Sequence, residues 1–524
     1  MRQSHRLNNI GLINRDKVIT FNFNGKSYQG YEGDTLASAL LANGVHLVGR
    51  SFKYHRPRGF IGAGVDEPNA KLQVTINGHS EPNINATEIE LVDGLSATSQ
   101  NCWPSVEFDI GAINNFLKRF FPAGFYYKTF MWPKSFWYKV YEPFIRKAAG
   151  LGVASLEKDK ERYEHKFEYC DLLVTGSGPS GLASAYAAAK NGAKVILAED
   201  KPRYGGTLLT DDVSIDNMSG KDWSEKIISE LKTMPNVTLK NRSQVFGYYD
   251  HNMMVMFERV GDHLSNKSKY TPRQRLWYIR AKETILSTGS IERPIVFGNN
   301  DTPGVVLSSA AKEYMKVYGV LVGRKPIIFT NNDSAYETAF EFKKNNVEPI
   351  ILDTREEHDS EVVQEAKNKG IQIKFSYGVI VANGYKKVKS AKIGKLTKDK
   401  KSFESTETIN CDCICVSGFW TPTVHLASQS GNKLKFDEKI DAFIPDKSKQ
   451  NEKTIGAANG SFTLQETIES GFKTGSELSS KITDKNNENK IPTVTETKYS
   501  VHDKFWCMPL PKNENPKRFV DFQN

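Results

Sequence analysis

The stretch "LLVTGSGPSGLASAYAAAKNGAKVILAED" at residues 172–200 decides the fold of the central part of the chain. Its first apolar run ends at three glycines, Gly176, Gly178 and Gly181, in the spacing G-x-G-x-x-G. An alanine-rich run follows, and a second apolar run ends at Glu199, 23 positions after Gly176. A strand before the glycines, a helix opened by them and an acid at this distance make the pattern specific for a dinucleotide. The stretch therefore predicts a strand–turn–helix–strand unit that binds an adenine dinucleotide.

Each residue of this unit has a predicted task. Gly176 permits the tight turn, Gly178 lets the backbone approach a diphosphate because it has no Cβ, and Gly181 lets the helix pack closely on the strand. The first N–H groups of the helix favour the phosphates. Glu199 is expected to accept hydrogen bonds from both ribose hydroxyls, which disfavours the 2′-phosphate of NADP. The pattern does not separate FAD from NAD, because both contain the same adenosine diphosphate.

The order of the remaining segments predicts a glutathione-reductase-like plan of two Rossmann-type units, the second nested inside the first. The segments "ILSTGS" (285–290), before the nested unit, and "IGAANG" (455–460), after it, are expected to complete the first site. Gly205, Gly206 and Thr207, just past the second strand of the glycine unit, are also expected to face the ligand. The nested unit repeats strand, helix and strand at 325–354, but Asn331, Asn332 and Asp333 stand where glycines are needed. A second nucleotide site and a retained scaffold both stay open for this unit.

The N-terminal residues predict a β-grasp domain, the layout of plant-type ferredoxins. "VITFNFNGKSYQGY" (18–31) alternates around Asn24-Gly25, which indicates a hairpin, and "GDTLASALLANG" (33–44) predicts a short helix capped by Asp34 or Thr35. "KLQVTINGH" (71–79) and "TEIELV" (87–92) are predicted strands. No cysteine occurs between residues 1 and 101. Because a [2Fe–2S] cluster needs four thiolates, the domain is expected to hold no cluster.

The whole chain is thus predicted to be multidomain, with α+β and α/β parts: a cluster-less β-grasp domain followed by the two-dinucleotide-binding fold. The predicted ranges are 1–100 for the β-grasp domain, 101–168 for an aromatic connector with a charged linker at 156–168, 169–300 with 411–482 for the NAD-binding unit, 301–410 for the nested unit, and 483–524 for a linker toward a missing C-terminal domain.

Composition excludes several functional classes. The net charge of +10 is spread along the chain in blocks of both signs, so nucleic-acid binding is not predicted. Lys118, Arg119, Lys128 and Lys134 interrupt the most aromatic stretch, which excludes a bilayer span of ~20 apolar residues. Six cysteines are too few for a disulfide scaffold. A reducing cytoplasm is the expected location.

Two smaller features have competing interpretations. "CDCIC" (411–415) is expected to place three buried cysteines on one face of a strand, and no metal site is predicted there. The basic loop at 50–58 carries five cationic or titratable side chains, which are Arg50, Lys53, His55, Arg56 and Arg58. It is expected to meet a flavin phosphate, an acidic partner surface, or acids of a neighbouring domain. No catalytic base stands out among ten histidines.

A set of motifs identifies a family resemblance. "HRPRG" (55–59), "DEPNA" (66–70), "SQNCWPS" (99–105), "FPAGFYYKTFMWPKSFW" (121–137) and "VSGFW" (416–420), together with the glycine turn, resemble the α subunit of heterotetrameric sarcosine oxidase. The resemblance runs from about residue 15 to the end of the chain. It implies a nucleotide site that includes the glycines and Glu199 and adds the following residues: Pro179, Ser180, Asp200, Gly205, Gly206, Thr207, Thr288, Gly289, Asn459 and Gly460.

The resemblance implies an activity, cofactors and partners. The enzyme oxidatively demethylates sarcosine to glycine, with hydrogen peroxide and either formaldehyde or 5,10-methylenetetrahydrofolate as further products. The β subunit carries FAD, FMN lies at the α–β interface, and γ and δ subunits complete the complex. The α subunit holds NAD, which is not the hydride acceptor. No catalytic residue is implied for this chain.

The family's α subunit is about twice as long and continues into a folate-binding domain. The chain is therefore expected to be a fragment, with a split subunit as the alternative, and tetrahydrofolate is expected only where that domain is present. A different hypothesis is a free-standing dehydrogenase of a secondary amine such as an opine. It would bind FAD at Gly176–Gly181 and a nicotinamide nucleotide in the nested unit.

Overall fold

The computed structural model describes residues 3–117, 130, 132–150, 152–485, 487, 489–496, 502–511 and 514–519. The central part of the predicted aromatic connector, residues 118–129, lies outside the described residues. So do residues 520–524 at the end of the predicted C-terminal linker. The described helices and strands group into an N-terminal domain and two units built on parallel sheets.

The N-terminal domain is a five-stranded sheet with one short helix, Leu36–Ala42. The sheet order is Lys26–Glu32, Asn14–Phe23, Ser96–Ser99, Lys71–Ile76 and His79–Asn85. The predicted hairpin is confirmed, since Asn24 and Gly25 take the positive φ values (50° and 76°) that its two-residue turn needs. Thr35 caps the helix through a capping box with Ser38.

The predicted strand at 87–92 is wrong. This segment forms turns and one isolated bridge, and it contacts the start of the helix through backbone hydrogen bonds from Leu36 N to Ile89 O and from Leu91 N to Asp34 O. Its apolar side chains Ile89, Leu91 and Val92 are buried, so the alternating pattern reflects burial under the helix rather than strand pairing.

The connector contains a 3₁₀ helix Ile110–Asn115, a π-helical turn Trp137–Tyr141 and a helix Glu142–Ala149. The predicted charged linker at 156–168 is wrong at its C-terminal end. The strand Tyr163–Thr175 begins inside it, because Tyr163 already pairs with Gln274.

The first unit is a sheet in the order Val237–Lys240, Val195–Ala198, Tyr163–Thr175, Gln274–Leu286, Met253–Arg259 and Ser243–Tyr249, with Glu452–Thr454 also paired to Gln274–Leu286. Its helices are Pro179–Lys190, Gly220–Thr233 and Leu464–Thr483. Residues 452–454 pair with residues 284–286 of this sheet, so the chain returns to the first unit after the second one.

The second unit is a parallel sheet in the order Val305–Leu307, Cys413–Ser417, Pro326–Thr330, Ile350–Asp353 and Gln372–Phe375. Its helices are Ser308–Lys316, Tyr336–Lys344 and Glu361–Asn368, and an antiparallel sheet adds Tyr377–Gly384, Val388–Leu396 and Phe403–Asn410. The predicted boundary at residue 410 cuts this sheet, because strand Cys413–Ser417 lies in its centre.

Short ladders and helices connect these units. The strand pairs are Gly49–Arg50 with Pro57–Arg58, Ser214–Ile215 with Met218–Ser219 and Val494–Thr495, Ser290–Glu292 with Trp420–Pro422, and Lys433–Asp437 with Ala442–Lys447. The short helices are His425–Gln429 and the 3₁₀ turns Gly206–Leu209 and Gly456–Asn459.

The N-terminal domain and the second unit share one hydrophobic core, which includes Phe21, Leu40 and Tyr314. Cys413 and Cys415 point into this core, whereas Cys411 packs in the separate core under the antiparallel sheet. The predicted common face therefore holds for two of the three cysteines, because the strand begins only at Cys413. Within the described residues, no helix combines the length and apolarity needed to cross a bilayer.

Candidate functional site

A cavity of about 2110 Å³ lies between the first unit, the second unit and the N-terminal domain. It exceeds the ~300–1,000 Å³ of common ligand pockets, so it has room for a molecule as extended as a dinucleotide. The predicted residues that line it are Gly176, Gly178, Pro179, Ser180, Glu199, Asp200, Gly206, Thr207, Thr288 and Gly289. The predicted residues that do not line it are Gly181, Gly205, Asn459 and Gly460, although Ala457 and Ser461 beside the last two do.

The glycine turn has the backbone geometry that its sequence predicts. Gly176 has φ +96°, and a Cβ there would lie 2.3 Å from the carbonyl oxygen of Ser287. A Cβ on Gly181 would lie 1.9 Å from the carbonyl oxygen of Gly176. These two glycines are therefore required by the protein's own packing, with Gly181 holding the helix against the strand.

Gly178 differs from both, because a Cβ built there has no atom within 4 Å. It precedes the helix Pro179–Lys190 as its N-cap residue and offers no capping side chain. Gly206 approaches it closely, since a Cβ on Gly206 would lie 2.9 Å from the Cα of Gly178. The helix start is thus open toward the cavity, which is the arrangement that anionic groups use at helix N-termini.

Glu199 and Ser177 form a buried hydrogen-bonded pair behind the turn. Oε2 of Glu199 accepts hydrogen bonds from Ser177 N at 2.9 Å and Ser177 Oγ at 2.6 Å, and Oε1 accepts from Lys201 N at 3.0 Å. Burial, followed by the charge of Asp200, raises the pKa of the Glu199 carboxyl above its ordinary value. The carboxyl group therefore uses part of its acceptor capacity inside the protein, and Asp200 lies beside it at the cavity wall.

Ser177 was missed by the sequence interpretation. It occupies the variable position of the glycine pattern, where residue type carries no signal. Its Oγ also lies 3.3 Å from Gly205 N, and its carbonyl oxygen accepts from the same N–H at 3.1 Å. Ser177 thus joins the glycine turn, the end of the second strand and the loop at 205–206.

The far wall of the cavity comes from the basic loop and its neighbours. Arg56 and Arg58 both pair with Asp301, with an Arg56 Nη2 to Asp301 Oδ1 distance of 2.7 Å. His55 pairs with Asp109 at 2.7 Å and Arg50 donates to the carbonyl oxygen of Val106. The pairs of Arg56 and Arg58 with Asp301 are the interdomain ion pairs that one interpretation of this loop predicts, and the flavin phosphate and the acidic partner surface stay predictions.

In the second unit, side chains occupy the place of a glycine turn. Asn331 is buried and donates from Nδ2 to the carbonyl oxygens of Asp503 at 2.8 Å and Phe505 at 3.1 Å. Asp353, which ends the next strand, accepts from Tyr336 Oη at 2.8 Å and pairs with Arg355. The C-terminal segment 502–508 thus lies against the loop where a second nucleotide would need open backbone.

In the N-terminal domain, one carboxylate organises the loop at 61–70. Glu67 is buried and accepts hydrogen bonds from four backbone N–H groups, those of Ile61, Gly62, Asn69 and Ala70. Burial raises the pKa of Glu67 to about 7. The backbone N–H groups favour the ionised carboxylate and act to lower this pKa, but burial has the larger effect.

Comparison with known proteins assigns families to two segments. Residues 16–102 match the family described as a 2Fe-2S iron-sulfur cluster binding domain. Residues 171–252 match the family of FAD dependent oxidoreductases.

The similarity to one curated protein extends over almost the whole chain. The sarcosine oxidase subunit alpha of Rhizobium meliloti (strain 1021) is 41% identical over 528 residues, which is 99% of this chain and 52% of that protein. The chain is homologous to the α subunit of sarcosine oxidase. The α subunit of Corynebacterium sp. (strain U-96) is 32% identical over 88% of this chain and 43% of its own length. The chain thus spans about half the length of these homologues.

A solved structure supports the fold. L-proline dehydrogenase from P. horikoshii superposes with a TM-score of 0.61 at 20% identity, covering 92% of this chain and 76% of its own. At this identity the likeness concerns the fold alone.

The residues of the first matched segment do not fit an iron–sulfur cluster. A [2Fe–2S] centre needs four thiolates, and residues 16–102 of this sarcosine oxidase α homologue contain one cysteine, Cys102. The loop that the Glu67 carboxylate organises has no thiol. The match therefore concerns the β-grasp fold rather than its metal chemistry.

Proposed function

We propose that this chain is the nucleotide-binding part of a sarcosine oxidase, a complex that oxidises the N-methyl group of sarcosine to give glycine, hydrogen peroxide and formaldehyde or 5,10-methylenetetrahydrofolate. The observation that carries the proposal is the homology along 99% of the chain. The complex is an oxidoreductase that acts on a CH–NH donor, and its amine oxidation takes place on an FAD-containing β subunit. FMN lies at the interface with β, and γ and δ subunits complete a cytoplasmic complex.

The chain's own nucleotide is NAD, with its diphosphate at the Gly178 corner. Support comes from the fit of the residues: Gly178 leaves open space at the start of an uncapped helix, and Gly206 opposes it. Asp200 and the remaining lone pairs of Glu199 are placed to accept from the ribose. Thr288 and Gly289 form the next part of the wall, where Thr288 Oγ1 is held by the carbonyl oxygen of Thr423 at 2.8 Å.

The contribution of these residues is to bind and orient. The backbone N–H groups of 178–181 bind the diphosphate, and the hydrogen bonds between Ser177 and Glu199 hold the turn in place. On the far wall, Arg58, paired with Asp301, excludes water. NAD bound here would stabilise the first unit without accepting a hydride. The second unit is a scaffold without a nucleotide, which the Asn331 contacts support.

The test is the composition of the native particle. Native mass spectrometry of the complex purified from its source is expected to show this chain with flavoprotein subunits, with NAD released on denaturation and peroxide formed when sarcosine is added. A chain that purifies as a monomer, carries no nucleotide and forms no peroxide when sarcosine is added would refute the proposal.

FAD in the same site is the second candidate, favoured by the match of residues 171–252 to FAD dependent oxidoreductases. The adenosine half would lie as described for NAD, and the chain would act as a dehydrogenase of a secondary amine such as an opine. Chromatography of the nucleotide released from the isolated chain separates the two, because FAD is coloured and NAD is not.

A further inference from the structure

One part of the large cavity combines aromatic rings with a single arginine. Arg293, Phe419, Phe462 and Trp506 line the cavity there, and together with His502 they are called the aromatic corner. The ring of Phe419 lies 5.2 Å from that of Phe462 and stacks on His502 at 4.0 Å, with 8° between the planes. The guanidinium of Arg293 lies 5.0 Å from the ring centre of Trp506 and 6.0 Å from that of Phe419. Apolar rings around a few polar groups are the usual lining of a small-molecule pocket.

The guanidinium of Arg293 has a charge and donors that the protein does not use. Its Nη1 and Nη2 donate to the backbone carbonyl oxygens of Asp441 at 2.8 Å and Ile440 at 3.0 Å. Within the described part of the chain, its Nε and the Nε2 of His502 are buried without a hydrogen-bond partner. No carboxylate of the described residues lies within salt-bridge distance of Arg293, and the Asp441 carboxylate has the Nζ of Lys504 at 3.6 Å. An arginine in this state favours an anionic ligand that accepts from its planar fork.

The neighbouring titratable groups indicate that the ligand carries one negative charge. Burial, followed by the charge of Arg293, lowers the pKa of His502 to about 4, so His502 adds no positive charge at neutral pH. The carboxyl group of Glu292, next in the chain, accepts from Ser309 N and Oγ at 2.7 Å each instead of from Arg293. The corner therefore contributes one cation without a counterion. A monoanion balances it, whereas a second buried negative charge would stay uncompensated.

The walls of the corner indicate the shape of the ligand. Phe419, Phe462 and Trp506 present ring surface to the cavity, and rings favour stacked or edge-on contact with another planar group. Phe419 has φ +76°, a left-handed conformation that is unusual for a bulky residue, and its carbonyl oxygen accepts from Arg293 N at 2.7 Å. Such strain persists where the surrounding structure fixes it, and it is common at ligand sites. The corner thus fits a planar, mainly apolar molecule with one carboxylate.

The far half of the nucleotide does not match the corner. Strand Ser290–Glu292 leads from Thr288 and Gly289, on the nucleotide wall, to Arg293, so the two parts of the cavity are neighbours. The nicotinamide ring of oxidised NAD is a cation, and an arginine without a counterion repels it. The cavity of about 2110 Å³ exceeds the ~300–1,000 Å³ of a common pocket, so it has room for a small molecule beside a dinucleotide.

We propose that the aromatic corner binds a small planar monocarboxylate beside the nucleotide, with the carboxylate on Arg293 and the planar body against Phe419 and Trp506. The proposal goes beyond the proposed function, because it adds a second ligand to the cavity and does not depend on which dinucleotide binds at Gly178.

The experiment is a calorimetric titration of the purified protein, in its native complex and saturated with added NAD, with benzoate as the probe. It is done between the pKa values of His502 (about 4) and Glu292 (about 7), where both groups are largely neutral. Arg293→Gln is expected to weaken benzoate binding about tenfold to hundredfold, the effect of losing a charge-assisted hydrogen bond. The matched control Arg280→Gln is expected to bind as wild type, since Arg280 also donates to a backbone carbonyl oxygen, that of His251 at 3.5 Å, but is exposed and does not line the cavity. Benzyl alcohol, which has the ring without the charge, is expected to bind more weakly than benzoate by a similar factor.

A second variant keeps the test valid if Arg293→Gln does not fold. Phe462→Leu removes one ring of the corner and leaves the cation, and it is expected to weaken benzoate binding about twofold to tenfold, the scale of one aromatic pair. Thermal unfolding of each variant shows whether it is folded.

Three results would overturn the proposal. They are the absence of saturable benzoate binding, wild-type affinity in both Arg293→Gln and Phe462→Leu, and competition between benzoate and NAD. Competition would show that the carboxylate binds at the helix start of Gly178 or that the nucleotide itself fills the corner. The proposed function fails separately, since benzoate binding that depends on Arg293 in a protein without NAD would refute the nucleotide assignment and support the corner.

Discussion

Gly178→Val tests the nucleotide site with little disturbance of the fold. Gly178 has φ −66° and ψ −173°, a conformation open to any residue, and a Cβ there meets no atom within 4 Å. The unfolding free energy of the nucleotide-free chain is expected to fall by no more than ~1 kcal/mol, the scale of an N-cap change. The new side chain fills the space that the proposal gives to the diphosphate.

The expected loss of affinity follows from the contacts removed. A diphosphate held away from the helix start loses about two charge-assisted hydrogen bonds, each of ~1.5–3 kcal/mol. The dissociation constant is therefore expected to rise by at least ~100-fold, since each 1.4 kcal/mol is a factor of ten. Calorimetric titration of the nucleotide-free chain with NAD, and chromatography of the nucleotide that copurifies, measure the effect.

Two companion variants make the result decisive. Gly49→Ala adds a methyl group in ordinary contact, 3.9 Å from the nearest atom, at a residue that does not itself line the cavity, and is expected to bind as wild type. Gly181→Ala forces a Cβ to within 1.9 Å of the Gly176 carbonyl oxygen and is expected to fail in folding. If Gly178→Val retained stoichiometric nucleotide with wild-type affinity, the diphosphate would not lie at this corner and the site assignment would be wrong.

Three further predictions follow from buried polar groups. Ser177→Ala removes the 2.6 Å hydrogen bond to Glu199 and is expected to lower the unfolding free energy by ~1–3 kcal/mol and to weaken nucleotide binding, measured by urea unfolding and titration. Asp301→Asn leaves Arg58 without its buried anion and is expected to cost ~3–5 kcal/mol, whereas unchanged stability would show that the interdomain ion pairs are dispensable. Burial raises the pKa of Glu292 to about 7, so the folded chain holds a proton that the unfolded chain releases above its ordinary pKa of 4.5. The unfolding free energy is therefore expected to fall as the pH rises from 4.5 to about 7. Glu292→Gln is expected to remove ~3 kcal/mol of that fall, measured by urea unfolding at several pH values.

The first unit was predictable because its signals are local. The glycines, the alanine-rich helix and the acid at residue 199 lie within one supersecondary element, and the structure has them as the spacing indicates. The strand at 163–168 was not predictable, because its charged sequence is typical of a linker. Its pairing partner, from residue 274 onward, lies more than a hundred positions away in the chain. The error at 87–92 has the same cause, since alternation there reports burial under a helix.

The site was predictable on one side only. The residues around the glycine turn line the cavity, but the wall formed by Arg58, Val65 and Asp66 belongs to a domain more than a hundred residues earlier in the chain. No local pattern specifies that contact. Ser177 was unpredictable for another reason, because its two hydrogen bonds to Glu199 depend on how the turn folds back on the strand end.

These contacts also explain why a β-grasp domain without cluster thiols remains useful. Lys201, two residues after Glu199, pairs with Glu313 at 2.7 Å, and Arg203 donates to the carbonyl oxygen of Leu12 at 2.8 Å, so this part of the cavity wall is held by both the second unit and the N-terminal domain. Within that domain, the Glu67 carboxyl connects both ends of the loop at 61–70 through its four backbone hydrogen bonds. A cluster would add electron transfer, whereas a wall and an anchor need only the fold. The β-grasp domain therefore contributes one wall of the cavity and contacts that hold the neighbouring loop.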